Sequence, residues 1–201
     1  MNKTRLEAFS DAVIAIILTI MVLELKIPHG TDLDALKPLL PVLLAYVLSF
    51  IYLGIYWNNH HHMLQATRTV NGKVLWANMH LLFWLSLIPF ATGWMGENHF
   101  APLPTAVYGG VLCFSGFAYQ ILQNKLVHHS GGKNSTLSEA IGNDLKGKIS
   151  VVAYVLAIFL AFVNEHISHA IYAIVAMMWF IPDRRIERMF SAKAHESART
   201  E

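Results

Sequence analysis

Apolar runs long enough to cross a lipid bilayer recur along nearly the whole chain, and they constrain its fold more than any other feature. A helix needs about 20 predominantly apolar residues to span the roughly 30 Å hydrocarbon layer of a membrane. Six such runs are predicted, at residues 5–25, 38–62, 73–95, 104–127, 147–164 and 167–182. The sequence therefore predicts an all-α, polytopic membrane protein with six transmembrane helices in each subunit.

Composition and the connecting segments support this interpretation. Of the 201 residues, 55% are hydrophobic and 14% are charged, whereas roughly a quarter of the residues of a soluble domain are charged. The connections are short and contain helix-breaking residues. We therefore expect a single six-helix transmembrane domain over residues 1–201, ending in a short cytoplasmic tail, 183–201. The one cysteine, Cys113, excludes a disulfide framework within the chain.

The distribution of basic residues predicts the orientation of the chain. If the N-terminus lies in the cytoplasm, 13 of the 15 Lys and Arg residues fall on the inner side, and Lys26 and Lys37 are left outside. The positive-inside rule predicts such a bias. We therefore expect a multi-pass protein of the cell membrane with both termini in the cytoplasm.

The first run opens with a polar cluster that includes Arg5, Ser10 and Asp11 before it becomes aliphatic. A charged side chain near the centre of a membrane helix costs about 2.5 to 3.5 kcal/mol on insertion scales, so Asp11 should find a partner or a wet cavity. Alternatively, the helix begins near Phe9 and Ser10 or Asp11 caps it at the interface. Both interpretations are compatible with the cluster.

The aliphatic part of the same run has a regular spacing. Ile16, Ile20 and Leu23 follow i, i+4, i+7 and form one stripe with Thr19 on its flank, while Asp11 projects roughly opposite. A stripe of this kind lines an axis shared by several subunits, or it faces lipid or a packing partner. The spacing alone leaves these alternatives open.

The polar cluster of the first run contains a specific motif. The segment Arg5-Leu-Glu-Ala-Phe9-Ser10-Asp11 resembles the RxxxFSD signature in the first helix of the transmembrane protein 175 family, the endosomal and lysosomal potassium channels and their prokaryotic relatives. The resemblance continues along the chain at Tyr56-Trp57, His60-His61, Trp76-Ala77-Asn78, Pro89-Phe90 and Ile181-Pro182-Asp183-Arg184-Arg185.

The resemblance implies a six-helix subunit that assembles as a tetramer around a pore lined by the first helix of each copy. Animal members carry two six-helix repeats in one chain and dimerise. This chain has one RxxxFSD motif and one set of six runs, so it is similar to the prokaryotic, single-repeat, homotetrameric form.

In the family that the chain resembles, bulky aliphatic side chains of the first helix form the constriction, and the matching positions are Ile16, Ile20 and Leu23. The TVGYG loop of familiar potassium channels does not occur here. Aliphatic rings close a pore by dewetting, and a weak potassium preference is expected because potassium sheds water more easily than sodium. Thr19 either offers its hydroxyl to the ion or bonds to a carbonyl of its own helix.

The resemblance also implies a structural role for the signature. Arg5 and Asp11 are expected to join histidine and tryptophan side chains of neighbouring helices in a polar network that holds the pore helix. The candidates for the signature and its network are Arg5, Phe9, Ser10, Asp11, Trp57, His60, His61, Trp76 and Asn78.

The function expected from the resemblance is a potassium-permeable, weakly selective cation channel and not an enzyme. One alternative is a proton-coupled or proton-leak carrier that uses Asp11 and the histidines. Another is a membrane metal-binding protein or enzyme built on His60, His61 and His62, although adjacent histidines on a helix point in different directions. The expected partners are three further copies of the chain, the lipid bilayer, and potassium and other monovalent cations. No cofactor, resident metal or nucleic acid is expected.

Overall fold

The computed structural model describes residues 3–67, 69–132 and 144–180. These residues form helices and connecting turns, and no strand occurs among them. The helices are α1 (Lys3–Leu23), a 3-10 helix (Leu33–Leu39), α2 (Leu40–Gln65), α3 (Gly72–Ser86), α4 (Ile88–Glu97), α5 (Pro102–His129), α6 (Leu145–Leu160) and α7 (Glu165–Phe180). The predicted all-α fold is confirmed. The predicted tail, 183–201, and the segment 181–185 of the resemblance lie outside the described residues.

Each predicted run has a helical counterpart, but the third is interrupted. α3 ends at Ser86 and α4 begins at Ile88, with Leu87 between them. Pro89 lies in the first turn of α4. It has no backbone N–H to donate to the preceding turn, and its ring crowds the carbonyl there, so the helix is broken at this point. The third run is therefore two consecutive helices rather than one unbroken helix.

Four helical stretches are long and apolar enough to cross a membrane: Lys3–Leu23, Leu33–Gln65, Gly72–Glu97 and Pro102–His129. In the described part of the chain, α6 and α7 have 16 residues each. At 1.5 Å per residue, each of these two helices is about 24 Å long, somewhat less than the hydrocarbon layer.

The interior is built from aliphatic side chains and from buried tyrosines whose hydroxyls are hydrogen-bonded. α5 packs against α3, α4, α6 and α7, while α1 packs against α2, α3 and α4. Tyr52 donates to the carbonyl of Tyr172 at 2.6 Å, and Tyr172 donates to the carbonyl of Thr105 at 3.1 Å. The hydroxyls of Tyr108 and Ser49 are 2.9 Å apart. These bonds join α2, α5 and α7, and they satisfy polar groups that water cannot reach.

Candidate functional site

α1 presents two different faces. Its buried side chains repeat at helical spacing and pack into the chain's own bundle: Leu6, Ser10, Ile14, Ile17 and Met21. The stripe of Ile16, Ile20 and Leu23 lies elsewhere on the helix, and these side chains are 56%, 42% and 79% exposed. A single subunit therefore leaves the aliphatic stripe uncovered.

A buried chain of hydrogen bonds attaches α1 to α3 and α2. Asn78 Nδ2 donates to Ser10 Oγ at 2.9 Å, and Asn78 Oδ1 lies 2.7 Å from His60 Nε2. Ser10 Oγ in turn donates to the carbonyl of Leu6 at 2.8 Å. Because Asn78 Oδ1 only accepts, His60 Nε2 carries the hydrogen of this bond. Ser10, Asn78 and His60 are almost fully buried, so we call them the buried anchor.

A second group of contacts lies nearer the surface. Trp57 Nε1 donates to Asp11 Oδ1 at 3.0 Å. The Trp57 ring stacks on His61, with ring centroids 6.0 Å apart and planes 19° from parallel. Gln65 Nε2 lies 2.8 Å from His61 Nε2 and donates to it. Asp11 thus finds its partner on α2, and His61 supports the tryptophan rather than the acid.

Three residues of the signature and its predicted network join neither group. Arg5 is exposed, Phe9 is 48% exposed and Trp76 is 78% exposed. Among the described residues, no hydrogen bond or ion pair of the Arg5 side chain is found within the subunit. The structure thus brings Ser10, Asp11, Trp57, His60, His61 and Asn78 together around α1 and leaves Arg5, Phe9 and Trp76 outside those contacts.

Two residues that contact the neighbours of α1 or extend from it, Gln65 and Lys3, are not predicted from the sequence. Gln65 follows His61 by four residues on α2, a spacing that places both side chains on one helix face. Lys3 Nζ donates to the carbonyl of Leu64 at 3.2 Å and lies 3.7 Å from Glu7 Oε1. Helical spacing signals the first contact, but no sequence pattern signals a lysine bound to a distant carbonyl.

Thr19 bonds to its own helix. Its Oγ1 donates to the carbonyl of Ile16 at 2.8 Å, and the side chain is exposed beside the stripe. This bond uses the hydroxyl hydrogen and leaves the oxygen lone pairs directed away from the helix. An oxygen in this state can accept a cation contact but cannot donate to an anion.

His60 and His61 on α2 have different partners. His60 bonds to Asn78, whereas His61 contacts Trp57 and Gln65. Within the described residues, no group of three His, Cys, Asp or Glu side chains is placed to hold a metal ion. The structure therefore places His60 and His61 against different neighbours, Asn78 for the first and Trp57 and Gln65 for the second.

Fold and site together define a class: an all-α, polytopic membrane protein whose first helix is anchored by buried polar groups and exposes an aliphatic stripe. Comparison with known proteins identifies the family. The family model described as endosomal/lysosomal potassium channel TMEM175 matches residues 5–89. A protein named potassium channel from Chryseobacterium sp. (strain P1-3) is 55% identical over 94% of this chain and 97% of its own length. The chain belongs to the TMEM175 family, as its signature predicts.

Two further comparisons extend this result. The crystal structure of a lysosomal potassium-selective channel TMEM175 homolog from Chamaesiphon minutus superimposes with a TM-score of 0.77 at 25% identity, covering 89% of this chain and 96% of that chain. A Gallus gallus protein named endosomal/lysosomal proton channel TMEM175 is 37% identical in an alignment of 84 positions that covers 34% of this chain and 17% of the Gallus gallus protein. The similarity to the bacterial proteins thus extends over the whole fold, while the vertebrate match is partial.

Proposed function

We propose that four copies of this chain form a potassium-permeable, weakly selective cation channel whose pore is lined by α1. The relative from Chryseobacterium is named a potassium channel, and the similar structure from Chamaesiphon minutus is described as potassium-selective. The proposed constriction consists of Ile16, Ile20 and Leu23, with Thr19 beside it.

The observation that carries this proposal is the division of α1 into an anchored face and an uncovered face. Ser10 is held by Asn78 inside the subunit, while Ile16, Ile20 and Leu23 remain exposed. One stripe cannot enclose a lumen. Four stripes arranged around a symmetry axis can do so, because cyclic assembly places the same face of each copy toward the axis.

The mechanism follows from the chemistry of the stripe. An aliphatic ring offers no ligand to an ion, so a narrow ring dewets and stops conduction. When the ring widens, a partly dehydrated ion passes, and potassium loses water at a lower cost than sodium. The outward lone pairs of Thr19 replace part of that lost water. Selectivity of this kind is weak, since no carbonyl cage surrounds the ion.

The orientation and partners complete the proposal. The asymmetry of 13 inner against 2 outer basic residues supports a cell-membrane protein with both termini in the cytoplasm. The buried anchor and the Asp11–Trp57 contact hold the pore helix rather than bind ions. The channel works as a homotetramer in lipid without a cofactor, enzymatic activity or a nucleic-acid partner.

Potassium flux out of liposomes tests the constriction. Purified protein in potassium-loaded liposomes should give a potassium flux without valinomycin, and Ile20→Asn should raise that flux and reduce the preference over sodium because a polar ring stays wet. Val22→Asn is the matched control, since Val22 is 45% exposed on α1 but lies off the stripe. Equal effects of the two variants, or no flux from the unmodified protein, would remove the pore assignment.

Assembly is tested separately by native mass spectrometry of the protein in detergent. The expected particle has four times the mass of one chain. A monomer or dimer that still conducts would contradict the proposed tetramer.

Proton conduction is a second candidate, favoured by the name of the Gallus gallus relative. A pH-sensitive dye and a potassium-sensitive dye in the same liposomes distinguish the two ions. Proton flux through the same pore should change in Ile20→Asn together with the potassium flux. A carrier built on Asp11 should instead show slow, saturable transport that is abolished in Asp11→Asn.

A further inference from the structure

A cleft of about 670 Å³ runs along α1 on the side of α4. One wall is formed by α1 from Val13 onward together with Glu24, which follows the helix. The other wall begins at Ser86, the last residue of α3, and follows α4 to Glu97. We call it the α1/α4 cleft. Its volume falls within the range of about 300 to 1,000 Å³ that is usual for small-molecule sites.

The outer end of the cleft carries a net negative charge. Lys26 Nζ lies 2.6 Å from Glu97 Oε1, and the hydrogen bond with Glu97 raises the pKa of the Lys26 ammonium. Glu24 makes no ion pair within 4 Å among the described residues, although Lys26 lies near enough to feel its charge. Two carboxylates, Glu24 and Glu97, thus share the single ammonium of Lys26, and a net negative charge remains.

The rest of the cleft is apolar and aromatic. Phe90 and Trp94 lie one turn apart on α4, with ring centroids 6.0 Å apart and planes at 31°, and Ile16 and Ile20 line the opposite wall. Gly93 lies between the aromatic rings in sequence and contributes no side chain, and a Cβ at that position would lie 3.8 Å from Glu24 Oε2. Aromatic faces attract cations, so the lining and the charge favour the same kind of ligand.

We propose that the α1/α4 cleft binds hydrophobic organic ammonium ions. The cationic nitrogen lies near Glu24 and the rings of Phe90 and Trp94, and the alkyl groups lie against the aliphatic wall of α1. A zwitterionic or anionic ligand of the same size would place a negative group beside Glu24 and Glu97, so charge favours the cation. Binding of the ammonium ion does not require the proposed channel function. Its expected consequence, inhibition of potassium flux by a ligand that lies against Ile16 and Ile20, does rest on that function.

Two charge variants test the proposal, because they should change the binding affinity in opposite directions. Isothermal titration of tetrabutylammonium into the full chain in non-ionic detergent at low salt should show saturable binding to the unmodified protein. Glu24→Gln should weaken binding about tenfold, and Lys26→Gln should strengthen it severalfold because Glu97 is then uncompensated. Asp34→Asn removes the same charge outside the cleft and should leave the affinity unchanged.

A steric variant tests the location. Gly93→Leu places a side chain in the cleft near Glu24, and binding should be lost. Gly110→Leu is the matched control because a Cβ at Gly110 meets no atom within 4 Å. The unfolding temperature of each variant shows whether a loss of binding reflects a loss of fold, and Glu24→Gln gives an independent reading if Gly93→Leu fails to fold.

The outcomes are distinct. Absence of tetrabutylammonium binding to the unmodified protein, or equal affinity in Glu24→Gln and Lys26→Gln, overturns the proposal. A change in oligomeric mass in Gly93→Leu with unchanged affinity also overturns it, since a second copy of the chain would then cover the cleft. Binding with the expected pattern in a protein that gives no potassium flux supports the cleft and contradicts the channel function alone.

Discussion

Asn78 connects three helices through a single side chain. Its amide nitrogen donates to Ser10 of α1, and its amide oxygen accepts from His60 of α2. All three residues are buried, and in a lipid-embedded bundle no water replaces a lost partner. The position of the first helix therefore depends on hydrogen bonds that a hydrophobic side chain cannot reproduce.

Replacement of Asn78 by leucine should destabilise the protein markedly. In Asn78→Leu the hydrogen of His60 Nε2 loses its acceptor, which costs about 1 to 3 kcal/mol, and Ser10 keeps only its bond to its own helix. Thermal unfolding in detergent measures the loss. Asn59→Leu is the control, because Asn59 Nδ2 bonds to the carbonyl of Ile55 on its own helix. Equal destabilisation by both changes would contradict the anchoring role.

Some residues around α1 could be named from the sequence, but their pairing could not. The motif and its resemblance name Ser10, His60 and Asn78, which hydrogen bonds join in the structure. They also name Phe9 and Trp76, which are exposed and take no part in these bonds. His60 and His61 differ by one residue and therefore by about 100° on the helix. Since α2 is apolar nearly all round, its periodicity does not determine which histidine faces inward. Packing against α1 and α3 decides this, and it places His60 on Asn78.

At the scale of single elements, α1 and the α3–α4 break illustrate two different limits of sequence reasoning. The spacing of Ile16, Ile20 and Leu23 predicts one face, and the structure shows that face uncovered. The interruption at Leu87 could have been suspected from Pro89, but membrane helices often tolerate proline because neighbouring groups satisfy the freed carbonyl. Only the surrounding packing distinguishes a tolerated proline from one that separates two helices.

The adjacent glycines of α5 provide a sharp test of helix packing. Gly109 and Gly110 together predict close helix contact, yet only Gly109 faces a neighbour, the hydroxyl of Tyr172. Gly109→Ala should displace Tyr172 from the carbonyl of Thr105 and cost about 1 to 3 kcal/mol. Gly110→Ala should be neutral or stabilising by up to about 1 kcal/mol, since alanine favours a helix.

Thermal unfolding of both alanine variants in the same detergent provides the comparison. A lower midpoint for Gly109→Ala alone is the expected result. If both variants unfolded together, the packing of α7 on α5 at Gly109 would be contradicted.

At the scale of the whole molecule, the lengths of the apolar runs predict the helices, and the distribution of charges predicts their orientation in the membrane. Both are properties of long segments, and the bilayer imposes them on any chain. The assembly of several copies, in contrast, cannot be predicted from span lengths or charges. A stripe that contacts another copy of the chain and a stripe that contacts lipid have the same composition. The pore-lining role proposed for the exposed α1 face therefore rests on the family resemblance and not on hydropathy.

The proposed orientation predicts which connections a membrane-impermeant thiol reagent reaches in intact cells. In a Cys113→Ala background, Asn98→Cys between α4 and α5 should be labelled, and Thr69→Cys between α2 and α3 should be labelled only after the cells are opened. Both positions are exposed. The reverse pattern would mean that the basic residues lie outside and that the positive-inside interpretation is wrong.

The central claim is that α1 lines a potassium-permeable pore and that its aliphatic stripe is the constriction. Single-channel recording with potassium on one side and sodium on the other tests it most directly. We expect unitary currents whose reversal potential favours potassium moderately, and a shift of that potential toward zero in Ile20→Asn but not in Val22→Asn. Absence of unitary currents, or a reversal potential that Ile16, Ile20 and Leu23 substitutions leave unchanged, would contradict the claim.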